Sequence, residues 1–247
     1  MRASDLLELF DAAADAERDA LAPLSPSERR ARTDRPGQYA LDLVADAAIL
    51  EVLHAAPVAV VSEESGRSGP SDADVTVVLD PVDGSTNCAR EIPYWGISLC
   101  ALDADGPWCA LVSNTPTGER FTAVRDDGAQ SGDRVLHASA VTRIQDAVVG
   151  VAGLPARAAP WKQYRSLGSA ALALCDVAAV RIDAFLDVLD DQHYPWDYLG
   201  GLLIGREAGA SVVDVHGRDL VVTDLDVRRQ LLAAATPELL DELRAYA

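Results

Sequence analysis

Two short runs of almost unbroken apolar residues, VAVVSE at 58–63 and VTVVLD at 75–80, each close on an acid. Successive side chains of a strand point to opposite faces, so valine in both phases means that both faces are covered. Such strands belong inside a layered molecule with helices against the sheet. Their terminal carboxylates, Glu63 and Asp80, then stand where a loop opens the sheet to solvent.

Helices frame these strands. Leu6, Leu7, Phe10, Ala13, Ala14 and Leu21 recur at helical spacing, and Ser25-Pro26-Ser27-Glu28 has the pattern of a capping box with proline at the first helical position. Leu41, Val44, Ala45, Ala48, Ile49, Val52 and Leu53 form an apolar stripe that leaves Asp42, Asp46 and Glu51 off it. Between these helices, RTDRPGQY is a polar loop around Pro36-Gly37. Further strands are expected at 97–102, 108–113, 119–124, 183–188, 211–215 and 231–236, and helices at 168–180, 196–209 and 237–246. Strands crowd the middle of the chain and alternate with helices towards its end, which predicts mixed α/β layers with a seam near residue 140. The halves 1–140 and 141–247 are expected to form one compact unit.

The chemistry concentrates in Asp80-Pro81-Val82-Asp83-Gly84-Ser85-Thr86-Asn87. Pro81 keeps Asp80 extended and Gly84 permits a sharp turn, so both carboxylates can face one pocket. The amides of Gly84, Ser85 and Thr86 would then open a helix and face an anion. Glu63 and Glu64 at the preceding strand end, and Asp197 in Pro195-Trp196-Asp197, complete a candidate ligand set. Oxygen donors without Cys or His point to Mg²⁺, with Mn²⁺ as a substitute.

The charge balance agrees. Lys and Arg number 21 against 39 Asp and Glu, a formal net charge of -18 that repels nucleic acid and anionic membrane surfaces. An anionic substrate would need a bound cation to invert that field. The four cysteines form no C-x-x-C pair, the N-terminal residues do not read as a signal peptide, and no apolar run is long enough to span a membrane, so a cytoplasmic location is the expectation.

The motifs E-E, D-P-[IV]-D-G-[TS]-[TS]-N and W-D, in that order, resemble those of the inositol monophosphatase family. Asn114-Thr-Pro-Thr-Gly-Glu-Arg-Phe, Arg165-Ser-Leu-Gly-Ser-Ala and Arg206-Glu-Ala-Gly-Ala extend the resemblance over nearly the whole chain. It implies the layered α-β-α-β-α sandwich of the inositol monophosphatase and fructose-1,6-bisphosphatase type, and a homodimer. It implies two or three Mg²⁺ ions held by Glu63, Asp80, Asp83, Asp197 and the Val82 carbonyl, with Glu64 behind them. Asp42, or Asp46 in a competing alignment, would pair with Ser85 and orient with Glu63 the water that attacks phosphorus. Asp187 or Asp190 would bind a substrate hydroxyl, and Ser166 is a further contact. Ser85 stands where threonine is more frequent, Cys88-Ala89-Arg90 replaces an aromatic-led continuation, and the loop lysine of the family is not evident in RTDRPGQY; Arg35 and His193 read as solvated side chains.

The implied activity is hydrolysis of a small phosphorylated metabolite, foremost inositol monophosphate. Fructose 1,6-bisphosphate, histidinol phosphate and 3'-phosphoadenosine 5'-phosphate are alternatives. A non-catalytic, metal-binding regulatory partner is the reading from a different class.

Overall fold

The computed structural model describes residues 1–247. The N-terminal half contributes helices α1 (Ala3–Leu21), α2 (Pro26–Arg29), α3 (Ala40–Leu53) and α4 (Ser85–Ala89). Its strands are β1 (Ala59–Ser62), β2 (Gly66–Ser68), β3 (Thr76–Asp83), β4 (Gly96–Asp103), β5 (Gly106–Asn114), β6 (Glu119–Val124), β7 (Gly128–Ser131) and β8 (Arg134–Val135). These strands form one sheet in the order β2-β1-β3-β4-β5-β6-β7-β8, antiparallel except for the parallel β1–β3 pair. The rest of the chain adds β9 (Val148–Ala152), β10 (Gln163–Arg165), α5 (Ala170–Ala178), β11 (Ala184–Asp187), α6 (Pro195–Glu207), β12 (Ser211–Asp214), β13 (Leu231–Ala234) and α7 (Pro237–Leu243). Its five strands run in the order β10-β9-β11-β13-β12, with β9 parallel to both of its neighbours.

Alternation along the strands builds the layers. In β3, Val77 and Leu79 join the core under α1 and α3, while Val78 points the other way, to α5 and α6. β4 repeats this with Ile97, Leu99 and Ala101 against Cys100 and Leu102. In the second sheet, Leu231 and Ala233 face α5 and α6 and Leu232 and Ala234 face α7. The result is α1/α3, sheet, α5/α6, sheet, α7. The doubly buried strands suggested by the valine runs are therefore real, although most of the first sheet is antiparallel. Gly201 lets α6 lie this close to α5: a Cβ there would meet Leu174 Cβ at 2.7 Å and the Ala171 carbonyl at 2.9 Å.

The structure corrects the sequence reading in several places. β3 does not stop at Asp80; its register with β4 shifts between Asp80 and Asp83, and Pro81, which has no N–H to give, sits in that irregularity. β2, β7, β8, β9 and β10 were not among the expected strands. On α3, Val44 is 39% exposed whereas Asp42 and Asp46 are buried. Leu41, Ala45, Ile49 and Leu53 of the expected stripe are fully buried, but the buried face also takes in the two acids, because the helix lies over the site and not over apolar core alone. RTDRPGQY folds back on itself through an Arg32–Tyr39 bridge, with the Arg32 guanidinium 3.4 Å from the Tyr39 ring centre. The four cysteines are free and buried, and no helix is long and apolar enough to cross a membrane.

Candidate metal-dependent active site

Glu63, Asp80 and Asp197 come from three separate stretches, and each presents one carboxylate oxygen within 4.8 Å of those of the others. Glu63 follows β1, its amide donating to the Leu79 carbonyl at 3.1 Å, so the pairing of β1 with β3 carries it to Asp80. Asp80 is 2% exposed, and one of its oxygens accepts only the Val82 amide, at 2.9 Å. Neither Glu63 nor Asp80 forms an ion pair with an Arg or Lys. Burial, then neighbouring carboxylates, Asp197 and Glu64 for Glu63 and Glu63, Asp83 and Asp197 for Asp80, push both acids well above the usual range. Two unit charges about 4 Å apart repel by roughly 4 kcal/mol at an effective dielectric of 20. A divalent cation relieves that repulsion, and the all-oxygen donor set fits one.

Two of the acids are aimed by the same local device. Asp197 occupies the third position of α6, and its Oδ2 accepts the amide of Tyr194, the residue that caps the helix, at 2.7 Å. Asp42 occupies the third position of α3, and its Oδ2 accepts the Tyr39 amide at 2.9 Å. Each carboxylate closes a helix with one oxygen and keeps the other for the site. The free Oδ1 of Asp42 is buried without a hydrogen bond. Burial pushes this acid up to about 6, against the pull of Ser85 and the Tyr39 amide. The Ser85 hydroxyl itself donates to the Val82 carbonyl at 2.9 Å. Asp46 is elsewhere, accepting the Ser62 hydroxyl at 2.5 Å.

Asp83 lies on the far side of the bulge, where its Oδ2 accepts the Ser169 hydroxyl at 2.6 Å and the Ala171 amide at 2.7 Å. Burial and then Asp197 raise it to about 7 in spite of these donors. Gly84 turns the chain into α4 at φ 96°, and a Cβ there would meet Trp95 Cβ at 3.0 Å and the Tyr94 carbonyl at 3.1 Å. Only glycine fits both constraints. Gly84 caps α4, which places Ser85 and Thr86 in the first turn, where amides lack partners within the helix. Asn87 donates to the Tyr94 carbonyl at 2.8 Å and ties this turn to the other half through the Leu167 carbonyl at 2.7 Å.

Glu64 points away from the cluster to Gln38 and to Arg35, 3.6 Å distant. Beside Asp83 opens a cavity of about 240 Å³ whose lining includes Arg165, Ser166, Ser169, Phe185 and His193. Ser166 thus lies on its wall. Neither Asp187 nor Asp190 does: Asp187 is fully buried at the end of β11, and Asp190 is exposed. His193 is not the solvated rim residue that its sequence context suggested; its side chain is 17% exposed and stands between Asp187 and Asp197. No local sequence signal marks it, since its partners are set by the fold.

An oxygen-only acid cluster at the strand ends of a layered α/β fold, next to a glycine-opened helix, defines the class of metal-dependent phosphatases. The chain belongs to the inositol monophosphatase family, phosphatases that hydrolyse phosphate monoesters, whose family model matches residues 12–247. It is 34% identical over 205 residues to a fructose-1,6-bisphosphatase/inositol-1-monophosphatase of Archaeoglobus fulgidus, covering 81% of this chain and 79% of that one. It is 31% identical over 228 residues to the Nus factor SuhB of Escherichia coli, covering 83% and 84%. Among solved structures, a hypothetical protein of Pyrococcus horikoshii superposes with a TM-score of 0.88 at 24% identity, over 100% of this chain and 99% of that one.

Proposed function

We propose that the chain is a Mg²⁺-dependent phosphomonoesterase acting on a small phosphorylated polyol, with inositol monophosphate as the leading substrate. One observation carries this reading: the convergence of Glu63 and Asp197 on buried Asp80, with no Arg or Lys paired to any of the three. Mg²⁺, when bound, supplies the positive charge that polarises the phosphoryl group and stabilises the departing oxygen. In this proposal Asp80, Asp83, Asp197, Glu63 and the Val82 carbonyl hold two or three ions, with Mn²⁺ able to replace Mg²⁺. Glu63 and the Asp42–Ser85 pair orient the attacking water and accept its proton. The amides of the cap residue Gly84 and of Ser85 and Thr86 in the first turn of α4 donate to the phosphate oxygens. Ser166 and the cavity beside Asp83 take the organic part of the substrate.

The test is phosphate release from inositol 1-phosphate with and without Mg²⁺, repeated with lithium, which is expected to inhibit. Hydrolysis of none of a panel of cyclitol, sugar, histidinol and nucleotide phosphates would end the proposal. Fructose 1,6-bisphosphate is the second substrate to try, because Arg165 on the cavity wall offers a cation to a second phosphate and the Archaeoglobus fulgidus relative carries that activity in its name. The Escherichia coli relative is named as a Nus factor, which keeps a regulatory binding role as the reading from another class. Mg²⁺ that raises the melting temperature without any turnover would favour it. A homodimer would cover exposed Leu154, Tyr164 and Leu189 beside the cavity. Four free buried cysteines suit a reducing, cytoplasmic setting. The charge of -18 disfavours nucleic acid as a direct ligand.

A further inference from the structure

Asp187 is 0% exposed, and a wholly buried carboxylate is costly unless donors or a cation meet both of its oxygens. Its Oδ1 accepts the Leu189 amide at 2.9 Å. Its Oδ2 and His193 Nε2 are both buried and form no hydrogen bond, but they lie 3.3 Å apart, close enough for the imidazole to meet the carboxylate. The opposite ring nitrogen, Nδ1, stands 3.6 Å from Asp197 Oδ2. The imidazole is fixed in this slot from the backbone. The His193 amide donates to the Arg229 carbonyl at 3.1 Å, the Arg229 amide returns to the His193 carbonyl at 2.8 Å, and the Phe185 ring packs with its centre 6.2 Å away. The segment before it is anchored as well, Asp191 accepting from Arg218 at 2.5 Å.

From this geometry we infer that Asp187 does not touch substrate but anchors His193, and that His193 is a positioning residue for the carboxylate of Asp197. The chain Asp187, His193, Asp197 then sets the direction in which Asp197 meets a metal ion, in the way that outlying hydrogen bonds orient metal-ligating side chains elsewhere. The inference rests on the metal-site reading above, and its test separates the two.

Mn²⁺ binding is measured by calorimetry on the unaltered protein, His193→Gln, His193→Ala, Asp187→Asn and the double variant of His193→Gln with Asp187→Asn, with melting curves in chelator to verify folding. Turnover of an inositol phosphate and of p-nitrophenyl phosphate, which has no polyol hydroxyl, is measured in parallel. Each single change is expected to weaken Mn²⁺ binding roughly 10- to 100-fold. The double variant is expected to be little worse than either single one, because both break the same chain. The metal requirement should rise equally for both esters, and His193→Gln, which keeps an N–H donor, should lose less than His193→Ala. A normal Mn²⁺ affinity in Asp187→Asn, with a raised KM for the inositol ester alone, would overturn the inference and make Asp187 a direct substrate contact. Failure of the unaltered protein to bind Mn²⁺ would overturn the metal-site reading and this inference with it.

Discussion

Asp214 in the second sheet and Asp80 in the first are almost equally hidden, 1% and 2% exposed, and their surroundings are opposite. Burial alone would raise Asp214, but the Arg218 side chain at 2.7 and 3.0 Å and the amides of His216, Arg218 and Gln230 overcome it and hold the acid down to about 2. Asp80 has one amide and three neighbouring acids. A third buried acid, Glu17 on the inner face of α1, takes another course. It accepts the Thr115 hydroxyl at 2.7 Å, its other oxygen is unpartnered, and burial drives it up to about 8, so it is held as the neutral acid near neutral pH. The fold thus hides carboxyl groups beside a cation, as a proton-bearing acid, or in a cluster that calls for a metal. Only the last arrangement is unfavourable until something binds.

The comparison can be broken most sharply at Asp80. Asp80→Asn is expected to lower Mg²⁺-dependent phosphate release by about 10³-fold or more, in the range seen when a preorganised electrostatic group is removed. Its melting temperature in chelator should be unchanged or higher, since a repelling charge is gone. A drop in that temperature would mean that Asp80 is structural after all.

Glu17 gives the next effect. Its folded pKa lies above the unfolded 4.5, so its stabilising share is complete below 4.5, falls as pH rises to about 8, and is level beyond. One such group contributes a slope of about 1.4 kcal/mol per pH unit in that window. Glu17→Gln should remove that slope in urea unfolding between pH 5 and 8, and be the more stable protein at pH 8. Asp214 has the opposite sign: its contribution holds above 3.8 and fades as pH falls through about 2. Asp214→Asn should cost roughly 2 to 3 kcal/mol at pH 7, less than the roughly 3 to 5 of a wholly buried pair, because the Arg218 side chain is 35% exposed. The smallest change is Ser169→Ala, which removes both the cap of α5 and a donor to Asp83. About 1 kcal/mol of stability should go with the cap, seen in thermal melts, and Mn²⁺ affinity should fall several-fold if Asp83 is also a ligand.

Much of the site could be read in the chain because its parts are local. The Asp80–Asn87 octet fixes a bulge, a left-handed glycine and a helix start within eight residues. Tyr39-Ala-Leu-Asp42 and Tyr194-Pro-Trp-Asp197 are the same cap written twice, a signal that sequence reasoning could have used for Asp42 and did not. What escaped depends on contacts between distant segments. Asp42 and Asp46 face inward only because α3 lies over the acid cluster, and a stripe drawn from apolar residues alone cannot register that. β9 was missed because Gly150 interrupts its valines; the fold needs glycine there, since a Cβ would come within 2.9 Å of Ile182 Cδ1. The slot that holds His193 between Asp187 and Asp197 is closed by distant residues: the Arg229 backbone pairs with that of His193, and Arg218 ties down Asp191 beside it.

The pair of tyrosine caps bears on how an ion would arrive. Because Asp197 is already clamped to its helix end by one oxygen, it need not freeze a swinging side chain at the moment of capture, and Asp42, held the same way on α3, is fixed beside it; that entropy was settled when the helices docked. Loading then amounts to filling a finished socket, and stripping the ion with a chelator should leave the helices, and therefore the vacated geometry, in place for the next one.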